Sequence, residues 1–335
     1  MSSIPWNPAH RFRSEALEWE EPPPPARLQV LVDRSRSVLT HNDSPDLAFD
    51  WTVNPYRGCT HACAYCYARA WHEYLDLGAG TDFERVVLVK PDAAALLREA
   101  FEKPSWRGER VAFSGVTDCY QPLERTWELT RACLAVCADF HNPVSIVTRS
   151  PLVLRDLDVL ARLARDQAVR VSMSIPILDP AICRKIEPGA PPPSARLHAV
   201  RVLADAGIPV AVGLAPLIPG LNDHLVPATL RAAREAGARW VWMGIVRFPG
   251  PVRAVFEKRL REVLPDRADA VMAKLARAGV QGAGRVGDRW RGKGAGWELT
   301  EQTFDVWRRR LGFESPPPWG PTPFRRPGGH QLALL

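Results

Sequence analysis

Between positions 51 and 250 the chain alternates short β-rich apolar runs with longer segments of helical periodicity, and this alternation restricts the fold more than any other feature. The runs are WTVNP (51–55), RVAFSGV (110–116), PVSIVT (143–148), AVRVSMSI (168–175), IPVAVGLA (208–215) and RWVWMGIV (239–246). Between them lie AYCYARAWHEYL, ERTWELTRACLAVCADF, LRDLDVLARLARD, SARLHAVRVLADAG and LVPATLRAAREAG, which read as helices, several finishing in the glycine a left-handed cap favours. Strands separated by helices pair in parallel, because a parallel neighbour can only be reached by a crossover. The expectation is an α/β fold, a partial (β/α)6 TIM-like barrel, with its chemistry at the carboxyl ends of the strands.

The flanks read differently. Positions 1–50 mix EEPPPPA, isolated charges and HNDSPD without sustained period, as an extended N-terminal arm with little share in the core. Positions 251–312 form a helical C-terminal extension around the basic glycine-rich stretch GAGRVGDRWRGKGAGW. Positions 313–335, rich in Pro and Gly, read as a tail without a fixed core. With 335 residues, 46% of them hydrophobic, the chain is long enough to bury a large core. No run of about 18 uncharged apolar residues occurs and the start lacks an apolar signal segment, so a cytoplasmic protein is expected.

Seven cysteines, an odd number in a chain too long to need disulfide staples, fit a reducing compartment and metal ligation. Cys59, Cys63 and Cys66 stand in a C-x3-C-x2-C triplet, a set of soft thiolate ligands suited to zinc or an iron-sulfur cluster. Zinc would need a fourth ligand, and the nearest candidates, His61 and His72, lie at no zinc-finger spacing. Clusters ordinarily take four cysteines, so three leave one iron open for chemistry. Cys133 and Cys137, at i and i+4 of a helical segment, read as small buried hydrophobes, and Cys183 as structural.

The triplet with Tyr65 before its third cysteine resembles the C-x3-C-x-aromatic-C hallmark of the radical S-adenosylmethionine superfamily. Further segments, among them "TD.YQPLER", "IEP.AP.P..RL", "APLIPGLND" and "GDRWRGKGAGW", are similar to its spore-photoproduct-lyase-like group over roughly positions 40–312. The resemblance implies the barrel typical of radical S-adenosylmethionine proteins and a four-iron four-sulfur cluster on Cys59, Cys63 and Cys66. It also implies S-adenosyl-L-methionine on the open iron, reductively cleaved to a 5'-deoxyadenosyl radical, with a flavodoxin- or ferredoxin-type electron donor. Thr117 and Asp118 end the second strand, where a hydroxyl and a carboxylate suit the cofactor's ammonium and ribose groups; an N-cap role would use the same residues. Arg149 ends the third strand and matches the basic residue the group aims at the cofactor carboxylate. Ser172 and Ser174 share one face of the fourth, so that one of them would meet the sugar. Glu187 and Arg196 would close the cofactor pocket or simply pair with each other, and Leu214, Ala215 and Pro216 would pack on adenine.

By the same resemblance Tyr65 and Tyr67 match relay tyrosines. Cys119, the thiol nearest the Thr-Asp pair, is the candidate hydrogen donor, although Gly115 and Val116 occupy the neighbourhood where spore photoproduct lyase has its cysteine. That departure speaks against the thymine-dimer reaction itself. The substrate expected is nucleic acid or a nucleotide, in a DNA-repair-like role. Arg285, Arg289, Trp290, Arg291 and Lys293 offer charge and an aromatic platform, and solvated surface charge is the plain alternative. The net charge of +7 agrees with an anionic partner. HQLALL at the end resembles sliding-clamp peptides, with Gln331, Leu332, Leu334 and Leu335 as the docking residues. Radical modification of a protein or peptide, and a non-catalytic metal-containing nucleic-acid-binding module, are the alternative readings.

Overall fold

The computed structural model describes residues 5–13, 25–47, 49–280, 282 and 290–328. Ten strands are present among them: β1 (Gln29–Val32), β2 (Leu39–His41), β3 (Trp51–Val53), β4 (Tyr56–Arg57), β5 (Val86–Val89), β6 (Val111–Phe113), β7 (Val144–Thr148), β8 (Val169–Ser174), β9 (Val210–Leu217) and β10 (Trp240–Ile245). The six expected strands are β3 and β6 to β10. They lie side by side in parallel, in the order β10-β9-β8-β7-β6-β3, and β2 adds an antiparallel edge beyond β3. The sheet stays open, its outer strands β10 and β2 unpaired to each other.

Alternation along each strand creates the two faces. On β8, Val169, Val171 and Met173 are buried, and Arg170, Ser172 and Ser174 occupy the opposite, concave face. The crossover helices are stopped and started by local chemistry. Asp179 accepts from the backbone N–H groups of Ala181 and Ile182 ahead of the helix Pro180–Ile186, and proline opens the helix Pro193–Asp205.

The N-terminal arm pairs with the fold: β1 runs parallel to β5, β4 completes that small sheet, and β2 comes from the arm as well, while all four residues of β1 stay exposed. FERVVLVK had no place among the expected strands, yet its Val87 and Val89 are fully buried. The expectation about the tail is corrected: over 313–328 it has fixed contacts. Phe313 is buried, Phe324 stacks on Phe140 with ring centroids 6.0 Å apart, and the backbone N–H of Arg325 donates to the Phe140 carbonyl. Trp319 lies under the Arg170 guanidinium at 4.2 Å and the Arg110 guanidinium at 5.1 Å, at the amino ends of the strands. The tail thereby seals the bottom of the concave face and leaves the carboxyl ends as its opening. The proposed clamp residues Gln331, Leu332, Leu334 and Leu335, and the basic Arg285 and Arg289, lie outside the described residues.

Candidate active site

The loop from Gly58 to Cys66 leaves β4 and runs into the 3-10 helix Tyr67–Leu75, not the α-helix its periodicity suggested. Neighbouring backbone pins it on both sides. The Cys59 N–H donates to the Phe83 carbonyl at 2.9 Å, the Ala64 N–H to Ile186 at 3.0 Å, and the Gly189 N–H to His61 at 3.0 Å. Arg69, fully buried, donates through Nε to the Cys63 carbonyl at 2.9 Å and through Nη1 to those of Ala79 and Gly80. An unpaired guanidinium in the interior would be costly, so these carbonyls and its ion pair with Glu84 are what hold Arg69 there, and it in turn holds the loop.

All three triplet cysteines are free thiols facing one cavity at the carboxyl ends of the strands, with about 930 Å³ of space, open solvent included. That is the place of a ligand site in such folds. No three His, Cys, Asp or Glu side chains converge on a single-ion position among the described residues. Three soft thiol donors bordering one cavity are a donor set that suits an iron-sulfur cluster. Neither histidine supplies a fourth ligand of a zinc site. His72 meets Phe83 edge-on at 5.5 Å and burial pushes it down to about 4. His61 lies between Cys59 and Asp118, its Nδ1 3.5 Å from Asp118 Oδ2. Burial would lower it, but the Cys59 thiolate and Asp118 raise it to about 9.

The remaining polar groups form one connected set. Asp118 accepts from Thr148 Oγ1 at 2.6 Å and from the backbone N–H groups of Arg149 and Tyr120 at 2.9 and 3.0 Å, so it ties the end of β7 to the loop after β6. Burial would raise its carboxyl, but His61 and these donors bring it down to about 2. Thr117 Oγ1 donates to the Gly58 carbonyl at 2.7 Å. Arg149 reaches Cys63 Sγ and Tyr65 Oη, each at 2.9 Å, and Glu187 Oε1 at 3.1 Å, all through Nη1. Glu187 also pairs with Arg196 and accepts from the Tyr65 hydroxyl. Ser174 Oγ donates to the Ala215 carbonyl at 3.2 Å, and Ala215 and Pro216 line the cavity beside it.

The cavity brings together Cys59, Cys63, Cys66, Tyr65, Tyr67, Thr117, Asp118, Arg149, Ser174 and Ala215. Five other residues expected there do not line it: Leu214 is buried in the main core, Glu187 lies behind Arg149, and three more are displaced. Cys119 is fully buried in the main core, its thiol pushed well up by burial. The turn through Gln121 to the helix Glu124–Trp127 directs it inward. Arg196 is buried behind Ser174, donating to that residue's carbonyl at 3.2 Å and to Pro191 at 2.8 Å. Ser172 sits one pleat below the cavity, its hydroxyl taking the Trp242 indole N–H at 2.7 Å. Conversely, His61, Ser114, Val147, Trp242, Ile245 and Arg247 line the cavity without having been singled out for it. For Arg247 a signal was available: it follows the sixth strand directly, as Arg149 follows the third.

Residues 53–233 match the family model described as the radical SAM superfamily. An uncharacterized protein of Mycobacterium bovis is 40% identical over 223 residues, 66% of this chain and 65% of its own length. The chain thus spans slightly under two thirds of the mycobacterial relatives it matches. An uncharacterized protein of Methanocaldococcus jannaschii is 32% identical over 201 residues, 59% of this chain and 71% of the relative. Among solved structures, spore photoproduct lyase complexed with dinucleoside spore photoproduct superimposes with a TM-score of 0.62 at 17% identity, over 84% of this chain and 79% of that one. At that identity the likeness is one of fold.

Proposed function

This chain belongs to the radical S-adenosylmethionine superfamily, and from that premise we propose that it is an enzyme that reductively cleaves S-adenosyl-L-methionine and turns the resulting radical on a nucleic acid or nucleotide. Cys59, Cys63 and Cys66 would hold the four-iron four-sulfur cluster. With the sulfonium cofactor bound, that cluster supplies a one-electron reduction and hence a carbon radical able to take hydrogen from a substrate. The electron would come from a flavodoxin- or ferredoxin-type donor.

The observation that carries the reading is the shared cavity: three free thiols, the Arg149 guanidinium and the Ser174 hydroxyl border one space at the carboxyl ends of a parallel sheet. Arg149 is the group to take the cofactor carboxylate, as guanidinium matches carboxylate geometry. Ala215, Pro216 and Ile245 give an apolar surface for its adenine. Thr117 and Asp118, which line the same cavity, would meet the cofactor's polar groups, and Arg69 holds the loop from behind.

For the substrate, the basic balance of the chain after position 50 and the nucleotide-type ligand named for the spore photoproduct lyase structure both favour nucleic acid. The reading stops at that class. No cysteine other than the triplet lines the cavity among the described residues, so the lyase's thiol-dependent return of hydrogen has no counterpart in Cys119. Tyr67 is the hydroxyl-bearing ring nearest that position, donating to the Gly115 carbonyl at 2.7 Å.

Oxygen-free purification and reconstitution test the proposal. The expected result is iron and sulfide in equal amounts, and release of 5'-deoxyadenosine and methionine on chemical reduction, both lost in Cys63→Ala. A preparation that takes up only zinc and leaves the cofactor intact refutes it.

A further inference from the structure

Two aromatic side chains on the β10 side of the cavity take no part in holding the cysteine loop. Trp242, on β10, keeps 37% of its surface exposed although it stands inside the concave face, with its indole N–H fixed by Ser172 Oγ at 2.7 Å. Trp290 arrives from the C-terminal extension. Its Nε1–H donates to the Asp46 carbonyl at 3.0 Å, and its ring lies against Gly244 so closely that a Cβ there would come within 3.1 Å. Gly292 lets the segment pass, since a Cβ on it would approach Trp297 and Ile245 to 2.5 and 2.6 Å. Gly292 therefore serves close packing over β10, and Trp290 turns inward instead of standing on a surface loop.

Between this side and the cysteines lies Arg247. Its guanidinium is 4.5 Å from the Trp290 ring centroid and 5.9 Å from that of Tyr67, the residue after Cys66. One cation thus links the far edge of the open sheet to the cysteine loop. Indole held by its N–H at the edge of a cavity, beside a cation, is the chemistry that binds planar bases joined to phosphate.

We propose that Trp242, Trp290 and Arg247 form the substrate subsite, in which indole stacks a nucleobase and the guanidinium meets the adjoining phosphate. This rests on the nucleic-acid reading above and adds to it where the substrate lies: within one side chain of the cysteine loop, so that a stacked base is presented to the reacting centre.

The test uses the full chain, loaded anaerobically with cluster and S-adenosylmethionine, and two fluorescein-labelled probes, a short oligothymidylate and its abasic counterpart. Trp242→Ala and Trp290→Ala should each weaken oligothymidylate binding roughly five- to hundredfold, with abasic binding changed less than about twofold. Trp290→Phe, which keeps a ring, should restore most of the loss. Arg247→Gln should weaken both probes alike and flatten the salt dependence by about one phosphate contact. In the unaltered chain, oligothymidylate should quench tryptophan emission and the abasic probe should not, an arm that needs no variant to fold. The subsite is overturned if the tryptophan variants weaken both probes equally, leave both unchanged, or shift only S-adenosylmethionine affinity. If the unaltered chain binds no oligonucleotide but free nucleotides quench its emission and Trp290→Ala abolishes this, the subsite stands and the nucleic-acid reading falls to a nucleotide one.

Discussion

Glu187 is a buried anion shared by Arg149 and Arg196, and it also receives the Tyr65 hydroxyl. Burial alone would raise its carboxyl, but Arg196 and then Arg149 bring it from the ordinary 4.5 down to about 2. A depressed carboxyl contributes stability that is complete above its unfolded pKa and is lost as pH falls through the folded one. The chain should therefore lose stability between roughly pH 4.5 and 2, and Glu187→Gln should flatten that acid limb. At pH 7 the same change leaves the buried Arg196 without its carboxylate partner and Arg149 with Asp118 alone, and should cost about 3–5 kcal/mol in urea unfolding. An unchanged acid limb would mean that Glu187 does not carry this effect. Cys119 gives the opposite expectation. Its thiol is in the core, so Cys119→Ala should lower stability by about 1 kcal/mol while cluster content and cofactor cleavage stay as in the unaltered chain.

At the scale of elements, the site depends on segments that lock one another. The cysteine loop is held by the 186–189 turn and by the backbone around Phe83. The 290–294 segment is wedged between Ile245 and Trp297. Gly292→Val would force a branched side chain into that wedge and should cost about 1–3 kcal/mol, read as a lower thermal midpoint with a shift in tryptophan emission. If the midpoint and emission stay put, the wedge is looser than described. Such locks were not visible in the sequence, because a close approach between Gly292 and residues of distant elements has no local signature. The helical stretch after the triplet misled for a related reason: its apolar spacing is genuine, yet packing around the loop tightens it into 3-10 geometry.

For the whole molecule, the tail is the informative part. Pro- and Gly-rich composition argued against a core, but Phe313, Trp319 and Phe324 find partners on the already formed sheet and helices. Burying a Phe side chain is worth about 1.5–3 kcal/mol, so removing 313–335 should lower stability by roughly 3–6 kcal/mol in thermal or denaturant unfolding. A truncated chain as stable as the intact one would show that these contacts are incidental. The N-terminal arm makes the same point through β1 and β2, whose pairing depends on strands formed elsewhere.

Local information was sufficient for the six parallel strands, for the cysteine triplet and for Arg149, because period, spacing and position after a strand are written in neighbouring residues. The fate of Cys119, Arg196 and Ser172, and the arrival of Trp242 and Trp290 at the cavity, were settled only by folding. Which side of a turn a thiol faces, and which distant ring covers a glycine, follow from how helices and sheet close on one another. No stretch of sequence contains both partners of such a contact.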